Sequence, residues 1–174
     1  MRANQVGFTL LELIVTMTVA SILFGVGIPS LISTLRTNRL AGATNELIST
    51  LIYARSEAIK RSVPVGVCRS SDGAACVTSG SAGWAIGWLV YVDVDRSSAL
   101  NTGDIVLTTH EALDSSITLT GNNNVANQVL FTSIGLANTS NGTMTMTSSS
   151  DTRTICIATS GRARLMPKGS TCTS

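Results

Sequence analysis

Two arginines near the end of the chain, Arg162 and Arg164, lie two residues apart in the segment SGRARL, directly after Gly161. On an extended strand, side chains two residues apart project to the same side of the backbone. Guanidinium groups keep their charge and present several N–H donors, which suits them to phosphate oxygens. Gly161 is predicted to form a turn with positive φ before this strand. The segment therefore predicts a preorganised, phosphate-binding pair of arginines.

The charge surrounding this segment is positive, although the formal net charge of the whole chain is only +2. Residues 152–174 contain no acid and these basic residues: Arg153, Arg162, Arg164 and Lys168. No aromatic residue follows Phe131, so the base-stacking platform of single-strand binders is absent there. No recognition helix for the major groove is predicted either. If the partner is a nucleic acid, these features leave only sequence-independent contact with its phosphates; the alternative is that these are surface arginines that keep the protein soluble.

Three aspartates, Asp93, Asp95 and Asp104, suggest calcium chemistry, because Asp93 and Asp104 bound a twelve-residue interval like that of an EF-hand loop. The comparison fails in detail. The sixth position is Ser98 rather than glycine, the twelfth is aspartate rather than glutamate, and no helices flank the loop. The interpretation is a hairpin turn with solvated acids and no metal.

No catalytic arrangement is predicted, and no cofactor. The single histidine, His110, has no nucleophile that the sequence would pair with it. Trp84 and Trp88 are four residues apart and share a face if they lie on one strand, which favours core packing over ligand binding.

Four cysteines without a CxxC pair favour two disulfides in an oxidising compartment, and three pairings are possible. Sequence proximity favours Cys68–Cys76 and Cys156–Cys172; the alternative is four free thiols in a cytosolic protein. A Cys156–Cys172 bridge would hold the cationic segment in place, and the chain-entropy treatment assigns about 3 kcal/mol to a loop of that size.

The elements that must position these groups begin with an apolar segment, residues 8–28, whose only ionisable side chain is Glu12. As a helix it covers about 31 Å, the thickness of a bilayer core. A cleaved signal peptide and a plain membrane anchor both leave Glu12 unexplained. Cleavage after Gly7 explains it, because the new amine of Phe8 would then be neutralised by Glu12 of a neighbouring, staggered helix.

The stretch GFTLLELIVTM resembles the class III signal of type IV pilins and pseudopilins. This resemblance implies that residues 1–7 are a leader, that a prepilin peptidase cuts after Gly7, and that Phe8 is then N-methylated. It also implies that residues 8–28 span the inner membrane of a Gram-negative bacterium, with the N-terminus cytoplasmic, before they enter a filament core.

Residues 29–63 are predicted to continue the helix in amphipathic form, with a stripe at spacings of three and four that ends before Pro64. The stripe consists of Leu40, Ala43, Leu47, Leu51, Ala54 and Ala58. Residues 64–174 read as eight short strands separated by Gly-, Asn- and Ser-rich loops. The candidate strands are Val65–Arg69, Trp84–Val92, Ile105–Thr109, Ile117–Thr120, Gln128–Thr132, Thr143–Thr147, Thr154–Thr159 and a short one near Arg162–Met166. The predicted fold is α+β and type IV pilin-like, with a long N-terminal helix on an antiparallel domain of two sheets.

The β domain resembles that of the GspH/FimT family in the segments GWAIGWLVYVDVD, VLFTSIGLANTSNGTMTM and RTICIATSGRARL. FimT-like members carry a G-R-x-R motif that Gly161, Arg162 and Arg164 match, which implies binding of extracellular double-stranded DNA in natural transformation, with Arg153 and Lys168 in support. Other major and minor pilins would be partners in the pilus. The alternatives are a FimU-like minor pilin that primes pilus assembly and a GspH-type pseudopilin of type II secretion.

Overall fold

The computed structural model describes residues 7, 9–81, 83–139, 141–149, 151–167, 170 and 172, and it describes residues 26–30 by their backbone alone. The chain divides into two compact units, Met1–Arg36 and Thr37–Ser174. The candidate DNA-binding residues all belong to the second unit, whereas Gly7, Phe8 and Glu12 belong to the first.

Helix α1 spans Leu10–Arg61, 52 residues, in agreement with the single long helix predicted from the sequence. At its start, the backbone N–H of Glu12 donates to Thr9 Oγ1 at 3.3 Å. Threonine followed three residues later by glutamate is the pattern of a capping box. The helix ends three residues before Pro64, because the residue preceding a proline is disfavoured in helical geometry.

The first unit presents large apolar side chains on every side of α1, exposed from 44% for Ile32 to 78% for Leu10. Its hydroxyl groups are satisfied within the helix, since Thr16, Thr18 and Ser21 donate to backbone carbonyls three or four residues earlier. Such a surface requires an apolar environment. Among the helices in the described part of the chain, none is long and apolar enough to cross a membrane. The predicted span starts at Phe8, which lies outside the described residues.

In the second unit, α1 buries the predicted apolar stripe completely or almost completely. Its residues are Leu40, Ala43, Leu47, Leu51, Ala54 and Ala58, each at most 7% exposed. Thr44 and Glu57 are buried beside this stripe. The periodicity of three and four therefore identified the packed face of the helix correctly.

In the part of the chain that the structure describes, eight strands form two antiparallel sheets of four, as the fold prediction requires. The first sheet has the order β3–β2–β1–β5, with β1 Val65–Arg69, β2 Trp88–Val92, β3 Ile105–His110 and β5 Gln128–Phe131. The second has the order β4–β6–β7–β8, with β4 Thr118–Gly121, β6 Gly142–Thr147, β7 Thr152–Ile157 and β8 Ala163–Met166. Strand β8 is thus an edge strand of the second sheet.

One hydrophobic core joins the buried stripe of α1 to the inner faces of both sheets. The outer face of the first sheet carries a second, smaller cluster of Cys68, Leu89 and Tyr91, against which Cys76 packs. Among the described residues, no comparable cluster covers the outer face of the second sheet. That face carries mainly threonines, half-buried or exposed.

Two sequence interpretations need correction. The predicted strand from Trp84 to Val92 is divided, because residues Trp84–Ile86 form a 3-10 helix and Gly87 adopts a φ of 110° before β2 starts. Both tryptophans are nonetheless buried in the core. Asp93 was expected to be solvated, whereas it is fully buried at the end of β2.

Candidate nucleic-acid interface

The hairpin that joins β7 to β8 positions the arginine pair. The backbone N–H of Gly161 donates to Ala158 O at 2.8 Å, and the N–H of Ala158 donates to Arg162 O at 3.0 Å. Gly161 has a φ of 76°, as the sequence predicts for the turn. It is also buried, and a Cβ at this position would collide with Gly135 O. Only glycine therefore fits this turn without displacing its neighbours.

Arg162 and Arg164 are both exposed at the edge of the second sheet. Arg164 lies opposite Cys156 in the β7–β8 pair, whereas Ala163 lies opposite the core residue Ile157. Alternation along β8 therefore directs Arg164 away from the core, and Arg162 extends the same alternation into the turn. Within the described part of the chain, neither guanidinium group has a hydrogen-bond or ion-pair partner. The pair is available to an external anion.

Arg153 does not join this pair. It lies within β7, two residues before the core residue Ile155, so it shares the side of the sheet that Ile155 occupies and points away from the side of Arg164. Its side chain is 25% exposed, and its Nε lies 3.8 Å from Asp151 Oδ2. Lys168, the fourth basic residue of the predicted site, lies outside the described residues.

The structure pairs Cys156 with Cys172 and Cys68 with Cys76, the pairing that sequence proximity favours. Cys172 Sγ lies 3.6 Å from the carbonyl oxygen of Gly142, at the start of β6. The bridge therefore ties the end of the chain to the outer side of the second sheet, next to the position of Arg164. The second disulfide belongs to the first sheet, where it closes the loop after β1.

Arg55 was not identified from the sequence as part of the site. Arg55 Nε donates to Gly135 O at 2.9 Å, across 80 residues of sequence. The same carbonyl oxygen lies against the α-carbon of Gly161, so Arg55 braces the loop on which the arginine turn rests. Its charge does not distinguish it in the sequence from Glu57, Lys60 and Arg61 nearby.

The three aspartates act together to hold the loop between β2 and β3. Asp93 accepts N–H bonds from Ser97 and Ser98 at 2.9 Å, and Asp104 accepts the N–H of Val94 at 2.9 Å. The carboxylate oxygens of Asp93, Asp95 and Asp104 lie within 4.8 Å of one another. Burial raises the pKa of Asp93 above its ordinary value. The aspartates therefore stabilise the loop by accepting hydrogen bonds from its backbone N–H groups.

The contacts of His110 indicate a structural role. Its ring stacks on Trp88 with centroids 3.9 Å apart, and its Nε2 lies 2.9 Å from Glu46 Oε2 of α1. Its Nδ1 lies 2.7 Å from the carbonyl oxygen of Glu111. These contacts tie the edge strand β3 to the helix, and neither ring nitrogen faces a nucleophilic side chain.

At the other end of the chain, Gly7 is exposed, with open space around its α-carbon. The Glu12 side chain is exposed in the first turn of α1. Phe8, the predicted methylation site, lies outside the described residues. The TLLE pattern of residues 9–12, which sequence reasoning did not use, is the signal for the cap that starts the helix here.

Residues 43–161 match the family described as Type II transport protein GspH, and residues 2–28 match the prokaryotic N-terminal methylation motif. The chain is 31% identical over 170 residues to the pilin-like protein PilA1 of Thermus thermophilus. That match covers 91% of this chain and 97% of PilA1.

Two solved structures have a similar fold. The type IV minor pilin FimU of Pseudomonas aeruginosa superimposes with a TM-score of 0.59 at 22% identity, covering 79% of this chain and 97% of FimU. The minor pseudopilin EpsH from the Type 2 Secretion System of Vibrio cholerae gives a TM-score of 0.52 at 14% identity, covering 76% of this chain and 99% of EpsH.

Proposed function

The chain belongs to the GspH family of type IV minor pilins and pseudopilins, and we propose that it is a minor pilin that binds extracellular double-stranded DNA. The binding is independent of base sequence and serves DNA uptake in natural transformation. One observation carries the proposal: Arg162, directly before an edge strand, and Arg164, within it, are exposed and have no partners in the described part of the chain. Proteins of the pilin and pseudopilin class are structural rather than catalytic, so the proposed activity is binding alone.

The arginine pair favours contact with phosphates over contact with bases. β8 is a short strand at the edge of a sheet, and no helix or aromatic platform lies in the described chain after Phe131. Phosphate contacts release counterions, so each one steepens the salt dependence by about 0.9 in log–log slope. A single subunit would bind weakly, with Kd of about 10⁻⁴ to 10⁻⁶ M, and several copies in one pilus would raise the affinity through avidity.

For the first unit we propose that it is processed and assembled as in a prepilin. A prepilin peptidase removes residues 1–7 and methylates Phe8, and α1 anchors the subunit in the inner membrane, N-terminus cytoplasmic, until assembly. Support comes from the methylation motif over residues 2–28 and from the apolar side chains exposed on every side of α1 within the first unit. In the filament, Glu12 would pair with the methylated amine of a neighbouring major or minor pilin. A charge in that apolar setting persists only when it is paired.

The proposal is tested with the full-length chain in uncharged detergent micelles and a labelled duplex of mixed sequence. Wild type retards the duplex in a native gel, and the variant Arg162→Ala with Arg164→Ala is expected not to. The matched control is Lys60→Ala with Arg96→Ala, which removes the same net charge from exposed positions elsewhere in the second unit. Equal retardation by wild type and the arginine variant would refute the proposed site.

The alternatives are a FimU-like minor pilin that primes assembly and a pseudopilin of type II secretion. Both predict that the wild-type chain does not retard the duplex at all. Deletion separates them in the host: loss of pili indicates priming, loss of secretion with pili intact indicates the pseudopilin, and loss of transformation with pili intact indicates DNA capture.

A further inference from the structure

The outer face of the second sheet carries a regular array of threonines, which we name the threonine face. Its members are Thr118 and Thr120 of β4, Thr143, Thr145 and Thr147 of β6, and Thr152 and Thr154 of β7. They alternate with residues buried in the core, namely Leu119, Met144, Met146 and Ile155. The threonines therefore project away from the core, on the side to which Arg164 also points.

The strand register places these threonines in rows across the sheet. Thr120 lies opposite Thr145, and Thr145 lies opposite Thr154. Thr118, Thr147 and Thr152 form the next row, in which Thr152 Oγ1 lies 3.4 Å from Thr147 Oγ1. Neighbours along a strand are about 6.8 Å apart and neighbours across strands about 4.8 Å apart, so the hydroxyls are regularly spaced over this face.

The threonine face is continuous with the arginine pair. Thr154 lies opposite Met166, which follows Arg164 by two residues on the same side of β8, so the threonine rows reach the cationic edge strand beside Arg164. The row through Arg164 itself passes Cys156, which is buried at its disulfide with Cys172. No position on this side of β4, β6, β7 or β8 carries an acidic residue. Asp151 lies beside Arg153 instead, on the opposite side of the sheet. Because no acidic side chain on these strands would repel it, a polyanion bound to the arginines can extend across the rows of threonine hydroxyls.

Resting on the proposed function, we infer that the threonine face is the track along which the DNA backbone lies after the arginines have engaged it. Threonine hydroxyls donate to phosphate oxygens in protein–DNA complexes. β-Branched side chains on a strand have few rotamers to lose, so the donors are fixed before DNA arrives. Hydroxyl contacts add affinity without releasing counterions, which distinguishes them from the arginine contacts.

The test is a fluorescence-anisotropy titration of the labelled duplex with the full-length chain in uncharged detergent micelles. The variant Thr145→Val with Thr154→Val removes two hydroxyls from the centre of the face and keeps shape and strand propensity. Kd is expected to rise about tenfold, while the slope of log Kd against log salt stays that of wild type. The matched control is Thr108→Val with Thr109→Val, at exposed threonines of β3 in the first sheet, and its Kd should equal that of wild type.

An unchanged Kd for the valine variant, with loss of binding by Arg162→Ala plus Arg164→Ala, would overturn the inference and leave the proposed function intact. Wild-type binding by the arginine variant would instead refute the proposed function. Thr120→Val, at an exposed site on the edge strand β4, supplies a second variant should the double variant misfold, and it should raise Kd in the same direction.

Discussion

Arg164 lies directly opposite Cys156 in the antiparallel pair of β7 and β8, and Cys156 is bonded to Cys172. The proposed DNA-binding strand β8 is thus hydrogen-bonded to β7 on one side. The chain that follows β8 is linked back to β7 by the Cys156–Cys172 disulfide. An edge strand has only one neighbour to hold it in place, so the bridge restricts the conformations open to Arg164.

Removing this bridge should weaken both the fold and the binding of DNA. For Cys156→Ala with Cys172→Ala we expect the free energy of unfolding to fall by about 3 kcal/mol. Kd for duplex DNA should rise, because the arginines lose part of their preorganisation. Urea unfolding and anisotropy titration measure the two effects.

The control is Cys68→Ala with Cys76→Ala, which opens the disulfide of the first sheet. It should lower stability while leaving Kd for DNA at the wild-type value. An equal rise in Kd for the two cysteine variants would contradict a specific role for the Cys156–Cys172 bridge.

Gly161→Ala should be destabilising, because Gly161 has a positive φ and a methyl group there would collide with Gly135 O. The left-handed conformation alone costs a non-glycine residue about 1–3 kcal/mol, and the collision adds to it. Gly80→Ala is the matched control, since Gly80 has a φ of 87° and open space around it. Chemical unfolding should show a larger loss for Gly161→Ala; equal losses would mean that the contact with Gly135 contributes nothing.

The contacts of Glu57 predict that the fold loses stability at acidic pH. It is 7% exposed, and its carboxylate contacts Arg61 Nε at 2.6 Å and Lys60 Nζ at 3.3 Å. The hydrogen bond from Arg61, supported by Lys60, lowers the pKa of Glu57 below its ordinary value of 4.5. Because the folded state favours the carboxylate, its stabilising contribution is complete above the unfolded pKa and is lost as pH falls through the folded one.

The variant Glu57→Gln tests the predicted direction of this pH dependence. Its stability should be below that of wild type at about pH 7, and the difference should shrink at about pH 3 as wild type becomes protonated. Urea unfolding at the two pH values measures the difference. A gap that stays constant across this range would show that ionisation of Glu57 does not stabilise the fold.

Much of the fold followed from local pattern. The helical stripe from Leu40 to Ala58 is buried because spacings of three and four place residues on one helix face. All eight strands were predicted to within a few residues, since alternation and turn residues both mark them. The break at Gly87 was missed because the positive φ depends on its packing beneath the carbonyl oxygens of Ser70 and His110.

The site was only partly predictable. Arg162, Arg164 and the turn at Gly161 are local features, and the structure keeps them together. Arg153 was grouped with them by sequence distance, although it shares a side of β7 with the core residue Ile155 and therefore points away from the side of Arg164. Arg55 was missed because its contact with Gly135 joins elements that only the tertiary fold brings together.

The salt dependence of duplex binding tests the central claim most directly. Anisotropy titrations of wild type and of Arg162→Ala with Arg164→Ala, between about 50 and about 200 mM salt, give the slope of log Kd against log salt for each. If both arginines contact phosphates, the variant should bind more weakly and its slope should be smaller by about 1.8. The control Lys60→Ala with Arg96→Ala should retain the wild-type slope. The same slope and the same Kd for wild type and the arginine variant would contradict the assignment of Arg162 and Arg164 to DNA.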